Sequence, residues 1–215
     1  MNPTIQYAAA MPRLPWDAPL GMVRCTVIDS EALRRAVAAR MESHGIRQTE
    51  DISRRVAAFD SYFAGHGLRS PLGGQIEMVR SKGLPSGNLL VQALLLSEVS
   101  TGLLMGAQDA GAIRGDVVCD RAKPGETFRG MRREVQCRPN EIILRDDEGI
   151  IASLLQGPDH RTRLTLETKD VVFFVFSAPG ILAADIDEGT QAVRSLLASC
   201  KQNLTTDPAR RMNTD

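Results

Sequence analysis

The chain has 215 residues, 43% of them hydrophobic and 24% charged, and its 26 basic and 26 acidic side chains give a formal net charge of zero. A chain of this length can bury a core without a disulfide or metal staple. Balanced charge lacks the basic excess that nucleic-acid binders set against phosphate, which weighs against strong autonomous RNA binding and gives no ground for a DNA partner.

Met1 to Leu20 holds four prolines and reads as an irregular N-terminal arm. It shows no basic segment followed by an apolar one, so no signal peptide is expected and the chain reads as cytoplasmic. Gly21 to Ile28 favours a pleated surface and predicts a strand. Asp29 or Ser30 then caps a helix with Leu33, Val37 and Met41 on one face, stopped by Gly45. Thr49 caps a second helix striped by Ile52, Val56, Phe59 and Phe63 and ended by Gly65 and Gly67. A short third helix is expected over Gln75 to Lys82. Asn88 caps a fourth, running to about Ser100. That helix is apolar almost all round, as a buried central helix is. Its apolar stretch, Leu89 to Leu96, is interrupted by Gln92 and is far shorter than the roughly 20 residues that span a bilayer, so no membrane partner is expected.

After Gly102 the pattern turns to strands. Asp116 to Asp120 is one, Lys123-Pro124-Gly125-Glu126 is a turn, and Thr127 to Met131 and Glu134 to Cys137 are short strands. Ile142 to Leu144 and Ile150 to Leu155 form a hairpin around Asp146-Asp147-Glu148-Gly149. Val171 to Phe176 is a core strand, and a last helix carries Val193, Leu196, Leu197 and Cys200. From Lys201 the polar chain predicts a flexible tail. The reading is α+β, with helices packed on a mixed or antiparallel sheet. It divides into an arm (1–20), one domain (21–200) and a tail (201–215). The four cysteines, at 25, 119, 137 and 200, lack zinc-site spacing and read as buried free thiols. No metal or cofactor motif is present.

Gly83-Leu84-Pro85 precedes the apolar helix, and Gly102-Leu103-Leu104-Met105-Gly106-Ala107-Gln108-Asp109 follows it. Next come Ile113-Arg114-Gly115, Ala122-Lys123-Pro124-Gly125-Glu126, and Glu167-Thr168-Lys169-Asp170 with its strand. In this order and spacing the pieces resemble the B3/B4 domain, the editing module of the phenylalanyl-tRNA synthetase beta subunit, over residues 20 to 180. The hairpin at Asp146 to Ile150 and the pair Arg161-Thr162 are more similar to stand-alone members of that family. The resemblance implies a pocket that takes an aminoacyl group and hydrolyses mischarged tRNA. It places the family's Thr-Asn pair at Leu94 and Leu95, its histidine at Gly106 and its glutamate near His160; Asp109 matches. None of the first four residues keeps the family's chemistry, so the implied pocket is more apolar at the leucines and larger near Gly106.

Deacylation needs an activated water and oxyanion donors, and the side chains of Leu94, Leu95 and Gly106 supply neither. The expected ligand is therefore an amino-acid-like small molecule or an aminoacyl-tRNA, handled beside a partner ligase in a biosynthetic pathway, with trans-editing as the alternative. Gln156 to Thr162 is the loop richest in chemistry. His160 and Asp159 are its catalytic candidates, and Arg161 is a carboxylate-binding candidate alongside Leu94, Leu95, Gly106 and Asp109. A solvated connector with a structural ion pair is the competing reading of that loop. Arg129, Arg132 and Arg133 form an arginine cluster that suits an anionic partner or plain solvation.

Overall fold

The computed structural model describes residues 5–7, 20–27, 29–44, 48–198 and 200–207. Ile28, Gly45 and most of the expected arm and tail lie outside the described residues. In chain order the elements are β1 (Ile5–Tyr7), β2 (Gly21–Val27), α1 (Ser30–His44), α2 (Glu50–Gly65), α3 (Leu72–Lys82), α4 (Leu89–Thr101), β3 (Met105–Asp109) and β4 (Val117–Arg121). They continue as β5 (Thr127–Arg129), β6 (Glu134–Gln136), β7 (Ile142–Asp146), β8 (Gly149–Ser153), β9 (Gly157–Pro158), β10 (Asp170–Val175), α5 (Ala183–Leu197) and β11 (Lys201–Asp207).

The strands form a four-stranded sheet in the order β11-β2-β10-β3 and a five-stranded sheet in the order β1-β4-β7-β8-β9, with β5 and β6 as a separate hairpin. All pairings are antiparallel except that of β1 with β4. This is the α+β class, with helices on a mixed and an antiparallel sheet. No helix among the described residues is long and apolar enough to cross a membrane.

Helix α4 sits at the centre, packed against α1, α3, α5 and β3. Asn88 caps it as its side-chain oxygen accepts from Leu90 N at 2.8 Å, and Gly102 ends it at a φ of 69° that favours glycine. Leu90, Leu96 and Val99 are buried on different faces of α4, while Val91 in its first turn stays 39% exposed. Strand β10 runs through the middle of its sheet, and Val171 to Val175 are fully buried there.

Four strands were not expected: β1 falls in the predicted irregular arm and β9 in the predicted loop Gln156 to Thr162, and β3 and β11 are the other two. Met105–Asp109 is a strand although its Met-Gly-Ala-Gln-Asp composition is poor in β-branched residues; antiparallel pairing with β10 fixes it. The predicted flexible tail begins instead as β11, paired antiparallel with β2 through the backbone, which composition cannot reveal. A buried charge network also ties the helices together. Arg55, 3% exposed, donates from Nε to Asp185 at 2.9 Å and from Nη1 to the Thr101 carbonyl at 2.9 Å, and it pairs with Glu188.

Candidate ligand-binding cleft

A cleft of about 410 Å³ opens between α4, β3 and the connection from β8 to β9, within the range of roughly 300–1,000 Å³ typical of small-molecule sites. Helix α4 presents Leu94 and Glu98 to it, one turn apart and therefore on the same face. Met105 to Gln108 of β3 form the floor, and Gln156, Gly157 and Pro158 form the far wall. Arg69 and Gln75 approach from the end of the α2–α3 connection and from α3, and Phe63, Leu104 and Phe176 supply apolar surface.

Six polar side chains line this otherwise apolar cleft: Arg69, Gln75, Glu98, Gln108, Ser153 and Gln156; of these, Gln108 donates to the Ile151 carbonyl and accepts from the Thr162 hydroxyl, and Ser153 donates to Glu141. Glu98 is 4% exposed; its Oε1 accepts from Met105 N at 3.0 Å and its Oε2 accepts from Gln75 Nε2 at 3.3 Å. Burial pushes its carboxyl up to about 8, against the opposing pull of the Met105 N–H and the Gln75 amide. At neutral pH it is an uncharged acid. The other end of the Gln75 amide, Oε1, is buried and has no hydrogen-bond partner. Arg69 is exposed at the rim, and no hydrogen bond or ion pair engages its side chain among the described residues.

Of the residues singled out in the sequence, Leu94 and Gly106 line this cleft together. The space over Gly106 is not larger, as the sequence implied. A Cβ built there would lie 3.2 Å from Phe176 Cε2, so an aromatic ring has moved into the space that a side chain at this position would need. Leu95 follows Leu94 by about 100° of helical turn and faces α3 instead, packed with Val79 and Val99.

Asp109 also stays outside the cleft. It accepts from Thr168 Oγ1 at 2.7 Å and from Gly111 N at 2.9 Å, bracing the turn after β3 against the segment that leads into β10.

Asp159, His160 and Arg161, the catalytic and carboxylate-binding candidates of the sequence, do not line this cleft. The chain passes through the wall at Gln156 to Pro158 and then turns away. Asp159 is buried and accepts from the N–H groups of Arg161 and Thr162, each at 3.0 Å, and from the Thr162 hydroxyl, so its lone pairs serve a turn. His160 donates its N–H to the Arg129 carbonyl at 2.7 Å, and its Nδ1 lies 3.2 Å from Arg163 Nη1, beside the β5–β6 hairpin. Arg161 donates to Asp146 Oδ1 at 2.7 Å and to the Ala112 carbonyl at 2.7 Å, and it pairs with Glu148 at 3.3 Å. A guanidinium held on three sides by its own chain is not free to take a ligand carboxylate. Arg129, Arg132 and Arg133 are exposed on the hairpin.

Sequence reasoning missed Arg69, Gln75 and Glu98. A signal was present for one of them: Glu98 is the only ionisable residue in the otherwise apolar helix Leu89–Thr101. A lone acid on a buried helix requires an internal partner or a changed charge state.

The B3/4 domain family model matches residues 69–185, more than half of the chain. Among solved structures, an N-terminal fragment of the phenylalanyl-tRNA synthetase beta-subunit from Pyrococcus horikoshii is similar at a TM-score of 0.45 and 13% sequence identity. That similarity covers 85% of this chain and 44% of the other, so the chain spans less than half the length of that fragment. No curated protein matches the sequence. The family match takes in α3, α4, β3 and the β8–β9 wall, and with them most of the cleft; the chain belongs to the B3/4 domain family.

Proposed function

We propose that this B3/4 domain holds an amino-acid-like or aminoacyl ligand in the cleft between α4 and β3 without cleaving it, and so assists an adenylating or acyl-transferring partner enzyme in the cytoplasm. The observation that carries this reading is the composition of the cleft. Leu94 and Gly106 line it, at the positions to which the sequence resemblance assigns the polar groups of an editing site, and the acid that is present, Glu98, is uncharged at neutral pH and already accepts the Met105 N–H. Neutral Glu98 cannot serve as the general base that activates water. Leucine and glycine side chains provide no donor for a developing oxyanion. Apolar walls with a few placed polar groups are the usual anatomy of a site that binds.

The test is deacylation. Tyrosine esterified to phenylalanine tRNA is incubated with the purified protein, and loss of the ester is followed. The expected outcome is an ester lifetime unchanged from the protein-free control. Turnover at the rate of an intact editing domain would instead establish a trans-editing hydrolase.

A further inference from the structure

We propose that the β5–β6 hairpin is a docking surface for an acidic protein face with an apolar centre, set beside the far wall of the cleft. This inference rests on the reading of the cleft as a site that serves a partner enzyme, and it names the chemistry by which that partner is held.

The hairpin lies outside both sheets, yet it is anchored. Phe128 and Val135 are paired across it and pack with Ala122, Cys137, Ile143 and Ile150 in a small core of their own. Its backbone is also joined to the chain that leaves the cleft. His160 N donates to the Arg129 carbonyl at 2.7 Å, and Gly130 bridges Asp159. Pro158, the residue before Asp159, lines the cleft. The turn at 130–133 is therefore fixed in place next to the cleft wall.

What this anchored hairpin shows to solvent is arginine. Arg129, Arg132 and Arg133 are exposed, and no hydrogen bond or ion pair engages their side chains among the described residues. Arg163 joins them through His160: it donates to the His160 carbonyl and lies 3.2 Å from His160 Nδ1, with no carboxylate partner. The acid of the hairpin is Glu134, and Asp159 is taken up by its own turn. Four guanidiniums thus face one exposed carboxylate, on a chain whose net charge is zero. Elsewhere the arginines are matched: Arg24 with Asp170, Arg54 and Arg55 with Asp185, Arg145 with Asp120 and Glu126, and Arg161 with Asp146. A rigidly held, unmatched cluster of one sign is what charge complementarity across an interface acts on.

Met131 decides which kind of anionic partner fits. It is 50% exposed, in the same turn as Arg132 and Arg133. Methionine and arginine are enriched in protein interfaces and lysine is depleted, and the cations of this hairpin are all arginine. Single-stranded nucleic acid is gripped by stacking its bases on aromatic side chains. The large apolar side chains exposed among the described residues are Val91, Met131, Leu166 and Leu182, none of them aromatic.

The experiment uses the full chain and three probes of equal charge: a short glutamate-rich peptide with a leucine pair at its centre, the same peptide with a serine pair there, and a single-stranded RNA. The readouts are the Met131 and Leu94 methyl resonances. The leucine peptide is expected to shift Met131 and not Leu94, and to bind about tenfold more tightly than the serine peptide. Met131→Ser should remove that preference and leave the serine peptide as it was. Arg132→Glu combined with Arg133→Glu should weaken both peptides by at least about tenfold.

RNA that binds more tightly than the leucine peptide overturns the proposal in favour of nucleic acid. Equal affinity for the two peptides, or no effect of the double reversal, overturns it in favour of a solvated basic surface. Dimerisation of the protein alone that the double reversal abolishes would overturn it by giving the face to a second copy. The reading of the cleft is judged separately, by a ligand that shifts Leu94.

Discussion

Asp185→Ala is expected to destabilise the fold by about 3–5 kcal/mol, the loss typical of stripping one partner from a buried ion pair. Asp185 is 3% exposed and is contacted by two arginines, with Oδ1 2.7 Å from Arg54 Nη2 and 2.9 Å from Arg55 Nε. Its Oδ2 also accepts the Leu182 N–H at 2.8 Å, closing the first turn of α5. Removing the carboxylate leaves Arg55 charged and buried with only Glu188 and a carbonyl for company, and it uncaps a helix. Asp185→Asn keeps an acceptor for Leu182 and should cost less. Burial alone would raise the Asp185 carboxyl, but hydrogen bonds from Arg54, the Leu182 N–H and Arg55 hold it below the ordinary range. Its contribution is therefore present at neutral pH and fades as pH falls through that lowered value. Chemical denaturation of the two variants checks the ranking; equal stability of Asp185→Ala and wild type would show that this network does not stabilise the fold.

Glu98→Gln should have the opposite character: a stabilisation that grows with pH. Burial raises the folded Glu98 carboxyl to about 8, while the unfolded chain ionises in the ordinary range near 4.3. Between those values the folded state binds a proton that the unfolded state has released, so rising pH favours unfolding. The penalty accumulates from about pH 4.5 to about pH 8 and then levels off, at about 1.4 kcal/mol per unit and on the order of 3–5 kcal/mol in all. Glutamine removes the titration and keeps an oxygen for the Met105 N–H. The stability difference between variant and wild type should be small at about pH 4.5 and widest above about pH 8. A constant difference across that range would mean that Glu98 is ionised in the folded protein.

Much of the fold was readable because local chemistry and tertiary packing agree. Thr49 caps α2 through its hydroxyl, which accepts from Ile52 N at 3.2 Å, and Ile52, Phe59 and Phe63 on the predicted stripe are buried. The Asp146 to Gly149 turn joins β7 and β8 as its residues suggest. Strand β3 was not readable, because its backbone pairing with β10 compensates for residues with little strand preference of their own. Strand β11 was hidden in the same way, since a polar edge strand and a polar tail share a composition.

The cleft was only half legible. Helical geometry puts Leu94 and Glu98 on one face and sends Leu95 to another, a distinction that naming a pair of positions does not make. Asp159, His160 and Arg161 drew attention as adjacent reactive side chains, yet each is satisfied by its own neighbourhood: a turn, the β5–β6 hairpin and the buried Asp146. Arg69 and Gln75 come from a part of the chain remote from β3 and β8, and no local pattern brings such segments together.

On the proposed reading, the cleft binds an aminoacyl group and leaves its ester intact. The most direct measurement is a titration with the methyl ester of a medium-sized apolar L-amino acid, following the Leu94 and Met105 methyl resonances and the ester signal in the same sample. Saturable shifts at these two residues are expected, while the ester decays no faster than in buffer. Rapid loss of the ester, or shifts confined to residues around His160 and Arg161, would contradict it.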